Sequence, residues 1–303
     1  MNRKNNTVAT TIDPESDRTS WVILVILSVV WGCSFILIKK ALAADFTTYQ
    51  LASMRIAIAA TAFTPFVIAQ RKNINWSKWY IFLAVGLTGT GLPAFLFFAA
   101  QTKVSSSVAG LLNSLTPIWT LIFGVVLFNL KFTRNILLGL IVGFLGAGML
   151  VLFGPARHVD GGGFYSLLIL LASVCYAVST NLVQSFFSDV KPIIISSLSF
   201  GMLGIPTIAY LLYSDVQSVF VNDPRAWTAF GYVALLSLVG TFLASILFYY
   251  LIQRTNALFA STVTYLMPIV ALFWGIVDNE PVGFLHFMGL SMILVGVFIT
   301  KKK

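Results

Sequence analysis

The chain has 303 residues, of which 58% are hydrophobic and 10% are charged, and its mean hydropathy is +0.91. A soluble domain carries about 25% charged residues, so this composition excludes an ordinary soluble protein and predicts a chain that faces lipid. The net charge of +9 does not indicate nucleic-acid binding, because the cations stand in short runs between apolar segments. Such runs are typical of the signals that orient a chain in a membrane.

The N-terminal region 1–20 is polar, mixes both charge signs and contains no apolar run. It is predicted to be a disordered cytoplasmic tail and not a cleaved signal peptide. Ten apolar segments follow, each close to the roughly 20 residues that a helix needs to cross the hydrocarbon. They cover residues 21–38, 48–69, 79–100, 104–128, 136–153, 164–186, 193–213, 227–251, 257–277 and 283–300. Their polarity does not alternate as barrel strands would, so the fold class is predicted to be an all-α membrane protein with ten transmembrane helices.

Lysine and arginine are divided unequally between the two sets of loops. With the N-terminus inside, the cytoplasmic set holds Arg3, Lys4, Arg18, Arg71, Lys72, Lys78, Lys131, Arg134, Lys191, Arg254 and the basic end 301–303. The opposite set holds Lys39, Lys40, Lys103, Arg157 and Arg225. Because cytoplasmic loops are enriched in these residues, both termini are predicted to lie in the cytoplasm of a cell carrying the protein in its inner or plasma membrane.

An internal repeat organises the ten segments. Arg254 and Pro268 stand 151 residues after Lys103 and Pro117 (254 − 103 and 268 − 117), within stretches of similar pattern. Further pairs at the same spacing are Gly89 with Gly240 and Phe97 with Phe248, while Trp31 pairs with Tyr176 in the first segments of each half. A repeat of five segments reverses its orientation when it is duplicated. The chain is therefore predicted to hold two inverted five-helix repeats, residues 21–153 and 164–300, a design that recurs in secondary transporters.

The run Trp31-Gly32-Cys33-Ser34-Phe35, followed by Lys39, resembles the first-helix signature of the EamA-type drug/metabolite transporter superfamily. Arg55, the stretch from Ala109 to Leu115-Thr116-Pro117 and the helix holding Gly139 and Gly146 are similar to the same pattern. The resemblance covers both halves. It implies ten helices, both termini inside, and transport, often efflux, of small metabolites.

One position departs from that pattern. The family usually carries a glutamate after each proline-containing helix, and Glu280 fits this in the second half, whereas Leu130 takes the place in the first half. A symmetrical role for two acidic residues is therefore not expected. Asp278 and Glu280 follow the ninth segment and are interpreted as residues of a solvated loop.

Arg55 is the sharpest candidate for a substrate-binding residue. A guanidinium within an apolar span costs a few kcal/mol on insertion scales and is usually paired or turned to a cavity. One interpretation makes Arg55 the anchor of a substrate carboxylate, or a gate cation, since its planar fork suits such anions. The other interpretation is that Arg55 reaches the interface or binds backbone carbonyls.

The two proline turns are candidate hinges. Asn113 lies one turn before Pro117 and Thr264 one turn before Pro268, and a proline frees the carbonyl of the preceding turn. Polar side chains there can satisfy this carbonyl or present it to a ligand. Near the helix centres, further candidate substrate-binding residues are the aromatic and amide side chains Trp31, Tyr176, Asn181 and Tyr265.

Several functions are disfavoured by what the chain lacks. It has no Gly-x-x-x-x-Gly-Lys phosphate loop, and its two histidines, His158 and His286, stand near segment ends, so no cofactor and no metal is expected. The partners expected are a small-molecule substrate and the lipid bilayer, while proton coupling and exchange both stay open. The predicted function is therefore a secondary transporter, an exporter of amino-acid-like or amphipathic solutes by alternating access. A receptor or scaffold without flux, or an intramembrane enzyme, are the alternatives.

Overall fold

The computed structural model describes residues 14–71, 76–128, 134–153 and 162–301. The described residues form helices α1 to α15, and no strand occurs among them. The helices are Pro14–Ala41, Thr48–Gln70, Trp79–Gly86, Leu92–Ala100, Ser106–Asn113, Thr116–Phe128, Arg134–Phe153, Gly162–Phe186, Pro192–Tyr213, Val216–Asn222, Ala226–Ser237, Ala244–Arg254, Ala257–Ser261, Val263–Val277 and Phe284–Lys301. Each predicted apolar segment coincides with one helix or with two successive helices, so the all-helical fold class is confirmed.

Eight helical stretches are long and apolar enough to cross a membrane. They are Arg18–Ala41, Thr48–Gln70, Trp76–Ala100, Ser106–Val126, Gly163–Phe186, Pro192–Tyr213, Ala226–Arg254 and Ala257–Val277. The other two predicted segments fall on α7 and α15, whose apolar stretches Leu137–Gly146 and Phe284–Gly296 are shorter. A multi-pass membrane protein follows from the eight stretches, and ten spans with both termini inside stay a prediction.

The predicted boundary of the N-terminal tail is wrong. Helix α1 begins at Pro14, so it takes in residues 14–20, which the sequence assigned to a disordered segment. Proline suits the first turn of a helix, because its missing N–H would have no intrahelical partner there. Residues 1–13 of the predicted tail, Leu130, and residues 302–303 of the predicted basic end lie outside the described residues.

The packing of the helices is reciprocal between the two halves, residues 21–153 and 164–300. Helix α1 packs against α12 and α14 of the second half, and α8 packs against α4 and α6 of the first half. Helix α2 lies along α9, and α7 lies along α15. Glycines allow some of these close approaches: a Cβ added at Gly32 would lie 2.5 Å from Val270 Cβ, and one added at Gly296 would lie 2.6 Å from the Gly139 carbonyl oxygen. The inverted repeat is our interpretation of this reciprocity.

Two π-helical turns interrupt the third helical rod of each half. The first covers Leu87–Gly91 between α3 and α4, and the second covers Leu238–Leu243 between α11 and α12. The second turn begins 151 residues after the first (238 − 87), the spacing that relates the proline stretches. A π turn loosens the regular α ladder and is frequent at functional sites. Both turns lie beside the centre of the molecule.

The two proline-containing rods are broken at different places. Helix α5 ends at Asn113 and α6 begins at Thr116, directly before Pro117. In the second half the break falls between α13 and α14, at Thr262, while Pro268 lies inside α14. The first break therefore lies next to Pro117, whereas the second lies more than one turn before Pro268.

Candidate functional site

A cavity of about 90 Å³ lies between the two halves. Its walls come from α1, α2, α4, α5 and α6 of the first half, from α8, α12, α13 and α14 of the second, and from both π turns. A water molecule needs roughly 10–15 Å³ measured in this way, so the cavity holds several waters or part of a small solute. The cavity is therefore bounded by helices of both halves.

Arg55 lies on α2 and lines this cavity. The residue is 7% exposed, and its Nε donates a hydrogen bond of 3.0 Å to Thr241 Oγ1 in the second π turn. In the described ranges, none of the ion pairs within 4.0 Å includes Arg55; all involve Lys39, Lys40 or Arg225. A cation in a buried site without a carboxylate partner is suited to bind an anionic group of a ligand.

Two aromatic pairs form part of the cavity wall. Trp31 meets Phe248 edge to face with ring centroids 4.9 Å apart, and Tyr176 stacks on Phe97 at 6.1 Å. Trp31 Nε1 also donates to the carbonyl oxygen of Gly240 over 2.8 Å, which ties α1 to the second π turn. All four rings line the cavity. The predicted residues Trp31 and Tyr176 are therefore brought together with Arg55 around one space.

Asn113 is the last residue of α5 and also lines the cavity. The residue is 2% exposed, its Nδ2 faces Met267 Sδ at 3.9 Å, and its Oδ1 has no hydrogen-bond partner. Pro117 has no N–H to donate to the backbone oxygen of Asn113. This oxygen instead accepts a 2.7 Å hydrogen bond from Thr116 Oγ1. The carbonyl freed by this proline is thus satisfied locally, whereas the Asn113 side-chain oxygen has no hydrogen-bond partner among the described residues.

Asn181 and Tyr265 are not among the residues that line the cavity. Asn181 Nδ2 donates to the carbonyl oxygens of Thr120 and Ala177, at 3.1 and 2.9 Å, and so fastens α8 to α6. Its neighbour Thr180 does line the cavity, but one residue further along a helix turns the side chain by about 100°. The structure therefore does not join Asn181 and Tyr265 to the other predicted site residues.

The sequence analysis did not identify Thr241 and Ser179 as site residues. Both line the cavity, and both lie beside a glycine of a π turn. A Cβ added at Gly89 would lie 2.6 Å from Ser179 Oγ, and one added at Gly240 would lie 3.2 Å from Ser34 Oγ. The pairing of Gly89 with Gly240 in the repeat was the signal that could have pointed to them. Each of these glycines marks the place where the first helix of the other half comes close, α8 at Gly89 and α1 at Gly240.

One end of the molecule is closed by a buried carboxylate. The Glu280 side chain is 2% exposed and accepts hydrogen bonds from the backbone N–H groups of Ser106 and Ser107, at 2.9 and 3.0 Å, and from Ser107 Oγ at 2.7 Å. Lys39 Nζ forms an ion pair of 2.9 Å with the same carboxylate. Glu280 therefore caps α5 of the first half, and its interpretation as a solvated loop residue is wrong.

The loop that carries Glu280 is shaped by its neighbours. Asn279 has a φ of 56°, a left-handed conformation that asparagine tolerates well, and Glu280 N donates to the Gly275 carbonyl oxygen over 2.8 Å. Asp278 in the same loop pairs with Lys39 at 2.6 Å and with Lys40.

Opposing influences set the pKa of Glu280. Burial raises it, while hydrogen bonds from the Ser107 hydroxyl, Lys39 and the backbone N–H groups of Ser107 and Ser106 lower it by more. The pKa of Glu280 therefore lies below its ordinary value, and the carboxylate is charged at neutral pH.

A second ionic contact joins the halves at the same group of loops. Arg225 binds Asp223 through Nε at 3.0 Å and Asp45 through Nη2 at 3.0 Å, and the Asp45 N–H donates to Asp223 Oδ2 at 2.8 Å. Hydrogen bonds from the side chain and backbone of Arg225 lower the pKa of Asp223 from 3.8 to about 2. The loop after α1 is thus held to the loop before α11.

The corresponding start of α13 is bound by uncharged groups. Ala257 stands 151 residues after Ser106 (257 − 106), and its N–H donates to Gln184 Oε1. Asn256 caps the helix by accepting a 2.8 Å hydrogen bond from the Phe259 N–H. The two halves therefore close equivalent helix starts differently, one with a carboxylate and one with amides.

The chain matches the model of the EamA-like transporter family twice, over residues 19–152 and 163–301. The chain belongs to the EamA-like transporter family. An uncharacterized transporter of Archaeoglobus fulgidus is 27% identical over 285 residues, covering 93% of this chain and 99% of its own length. A protein of Escherichia coli named a probable amino-acid metabolite efflux pump is 25% identical over 295 residues, covering 93% of this chain and 95% of its own.

The fold of this EamA-like protein is also found among solved structures. One crystal structure superposes with a TM-score of 0.63 at 15% sequence identity, over 94% of this chain and 96% of that chain. The family, its relatives and the eight apolar helical stretches make this protein a multi-pass membrane transporter of the drug/metabolite transporter superfamily.

Proposed function

We propose that the protein is a secondary transporter that exports small amino-acid-like or amphipathic solutes by alternating access through the cavity between its halves. The observation that carries this proposal is Arg55, a buried cation that has no carboxylate partner among the described residues and lies in a cavity walled by aromatic rings. A solute carboxylate binds the guanidinium, and its apolar body lies between Trp31 and Tyr176. The name of the Escherichia coli relative supports this class of substrate.

Alternating access requires the cavity to open at one end and then at the other. The proposed movement is a rocking of the two halves about the breaks next to Pro117 and before Pro268. From the distribution of cations we place both termini in the cytoplasm, with ten spans in the inner membrane. In this topology the Glu280 and Asp223 contacts close the end of the cavity that faces the outside. Opening that end exchanges these contacts for water.

The test is uptake and counterflow of labelled amino acids in liposomes, with wild type, Arg55→Gln and Arg55→Lys. Arg71→Gln is the matched control, because Arg71 is exposed at the end of α2 and lies outside the cavity. We expect Arg55→Gln to abolish carboxylate flux, Arg55→Lys to weaken it, and Arg71→Gln to leave it intact. Equal flux in Arg55→Gln and wild type would remove Arg55 from the site. Binding without flux across the panel would instead favour a receptor.

A further inference from the structure

Most serine and threonine hydroxyl groups that line the cavity lie within hydrogen-bond distance of a backbone carbonyl oxygen. Among the described residues, nine serines and threonines line the cavity, and eight of them donate their proton to a backbone carbonyl oxygen of a helix. The eight are Ser34, Thr116, Ser179, Thr180, Thr241, Ser245, Ser261 and Thr264, at 2.7–3.3 Å. A hydroxyl has a single proton to donate and two lone pairs to accept with. These side chains therefore offer acceptors to a ligand.

Asn113 Oδ1 adds a stronger acceptor to the same wall. This oxygen is buried and has no hydrogen-bond partner among the described residues, and Asn113 as a whole is 2% exposed. The orientation of this amide follows from Met267: a thioether sulfur accepts weakly and cannot donate, so the NH₂ group faces Sδ and the oxygen faces away. A buried acceptor without a partner is unfavourable, and a ligand that brings a donor group relieves this.

The donors of the cavity are concentrated elsewhere. The Trp31 N–H is already bound to the Gly240 carbonyl, and the Arg55 guanidinium, held through Nε by Thr241, is the cation of the site. The site thus combines a cationic donor on α2 with acceptors at the end of α5 and the start of α14. In addition, Pro268 cannot donate to the Thr264 carbonyl, which loses its usual helical partner.

We propose that Asn113 is a specificity-determining residue that selects solutes carrying a protonated amine. The inference rests on the proposed function, in which the carboxylate of the same solute binds Arg55. An ammonium group brings three donors and a positive charge, so it can satisfy Asn113 Oδ1 and also meet hydroxyl oxygens that line the same cavity. A solute with a carboxylate but no amine leaves Asn113 Oδ1 buried and unpaired, and is rejected.

The experiment compares an aromatic amino acid with its deaminated arylpropionate analogue. Equilibrium binding to purified protein in detergent and flux into liposomes are measured separately, for wild type, Asn113→Leu and Asn113→Asp. Wild type is expected to bind the amino acid about 10- to 100-fold more tightly than the analogue, the ratio that one unmet buried acceptor produces. Asn113→Leu should bring that ratio close to one, and Asn113→Asp should keep or increase it.

Asn181→Leu is the matched control, because Asn181 is a buried asparagine outside the cavity. It should lower the melting temperature without changing the ratio. If Asn113→Leu does not fold, Asn113→Asp decides, since a fall of its ratio to one overturns the proposal.

The two proposals fail in different ways. A wild-type ratio near one, or an unchanged ratio in folded Asn113→Leu, overturns the role of Asn113 even when flux is present. Selective binding without flux keeps Asn113 and overturns transport. Absence of both binding and flux for the pair overturns both.

Discussion

Ser107 Oγ donates a 2.7 Å hydrogen bond to Glu280 Oε2, across 173 residues of sequence and between the two halves of the protein. The same carboxylate accepts from the first backbone N–H groups of α5, where the partial positive charge of the helix favours an anion. The contact explains why a lone carboxylate is stable in this position: four donors surround it, and Lys39 is one of them.

Replacement of Glu280 by Gln should destabilise the protein. An amide supplies one acceptor oxygen where the carboxylate supplied two, and its NH₂ group faces an N–H of α5. Hydrogen bonds to charged groups contribute about 1.5–3 kcal/mol, so we expect a loss of about 2–3 kcal/mol in the free energy of unfolding. Thermal unfolding in detergent measures it. Asp215→Asn, in an exposed loop residue, is the control and should leave the melting temperature unchanged.

Gly275 is required by the same contact. A Cβ at this position would lie 1.9 Å from Ser107 Oγ and 2.8 Å from Glu280 Oε2. Gly275→Ala should therefore lower the melting temperature, and Ser107→Ala in the same chain should recover part of the loss by removing the nearest atom. Gly231→Ala is the control, since a Cβ there meets nothing within 4 Å. An unaltered melting temperature for Gly275→Ala would contradict the packing described.

Acid should weaken the ionic contact of Asp223. Its folded pKa of about 2 lies below its ordinary value of 3.8, so the stabilisation is complete above about pH 4 and is lost as the pH falls towards 2. Asp278 and Glu280, whose pKa values are also lowered, act in the same direction. Melting temperatures between pH 7 and pH 2.5 test this. Asp223→Asn should be less stable than wild type at pH 7, and the difference should shrink below pH 4.

If the difference in melting temperature between Asp223→Asn and wild type stayed constant over this pH range, the pKa of Asp223 would be the same in the folded and unfolded protein, and the prediction would be wrong. Asp215→Asn again serves as the matched control and should follow the wild-type curve.

The helix breaks next to Pro117 and before Pro268 give a prediction about transport rates. Pro117→Ala restores an N–H that can bond to the Asn113 carbonyl oxygen, in competition with Thr116 Oγ1, and so joins α5 to α6. If the break is a hinge, Pro117→Ala and Pro268→Ala slow counterflow without lowering stability. Pro65→Ala, inside α2 and exposed to lipid, is the control and should transport at the wild-type rate. Wild-type rates in both variants would contradict the hinge.

The sequence predicted the elements well, because long apolar stretches in lipid have few choices other than the helix. It also related Trp31 to Tyr176 and Phe97 to Phe248, and the structure packs these residues crosswise around the cavity. The repeat carried this information, since it matches each ring with a ring at the equivalent position of the other half. Nothing in the local pattern around Glu280, by contrast, reveals partners on α5.

Local competition explains the other differences. The second break falls at Thr262, where Ser261 and Thr262 donate their hydroxyl protons to the carbonyl oxygens of Leu258 and Phe259 and weaken the helix before Pro268. Asn181 was assigned to the cavity by residue type, but its direction around the helix axis decides its contacts. Such an angle is fixed by packing between distant segments, which a single sequence does not display.

The π turn Leu238–Leu243 gives the chain a place where its length can change by one residue. A π turn holds one residue more than an α turn, so deleting a residue within it would restore the α ladder and leave Phe248 facing Trp31. The same deletion between the turn and Phe248 would rotate the residues that follow by about 100° and separate the two rings. Insertions and deletions can therefore reshape this wall of the cavity at the π turn, whereas elsewhere in the rod only substitutions can.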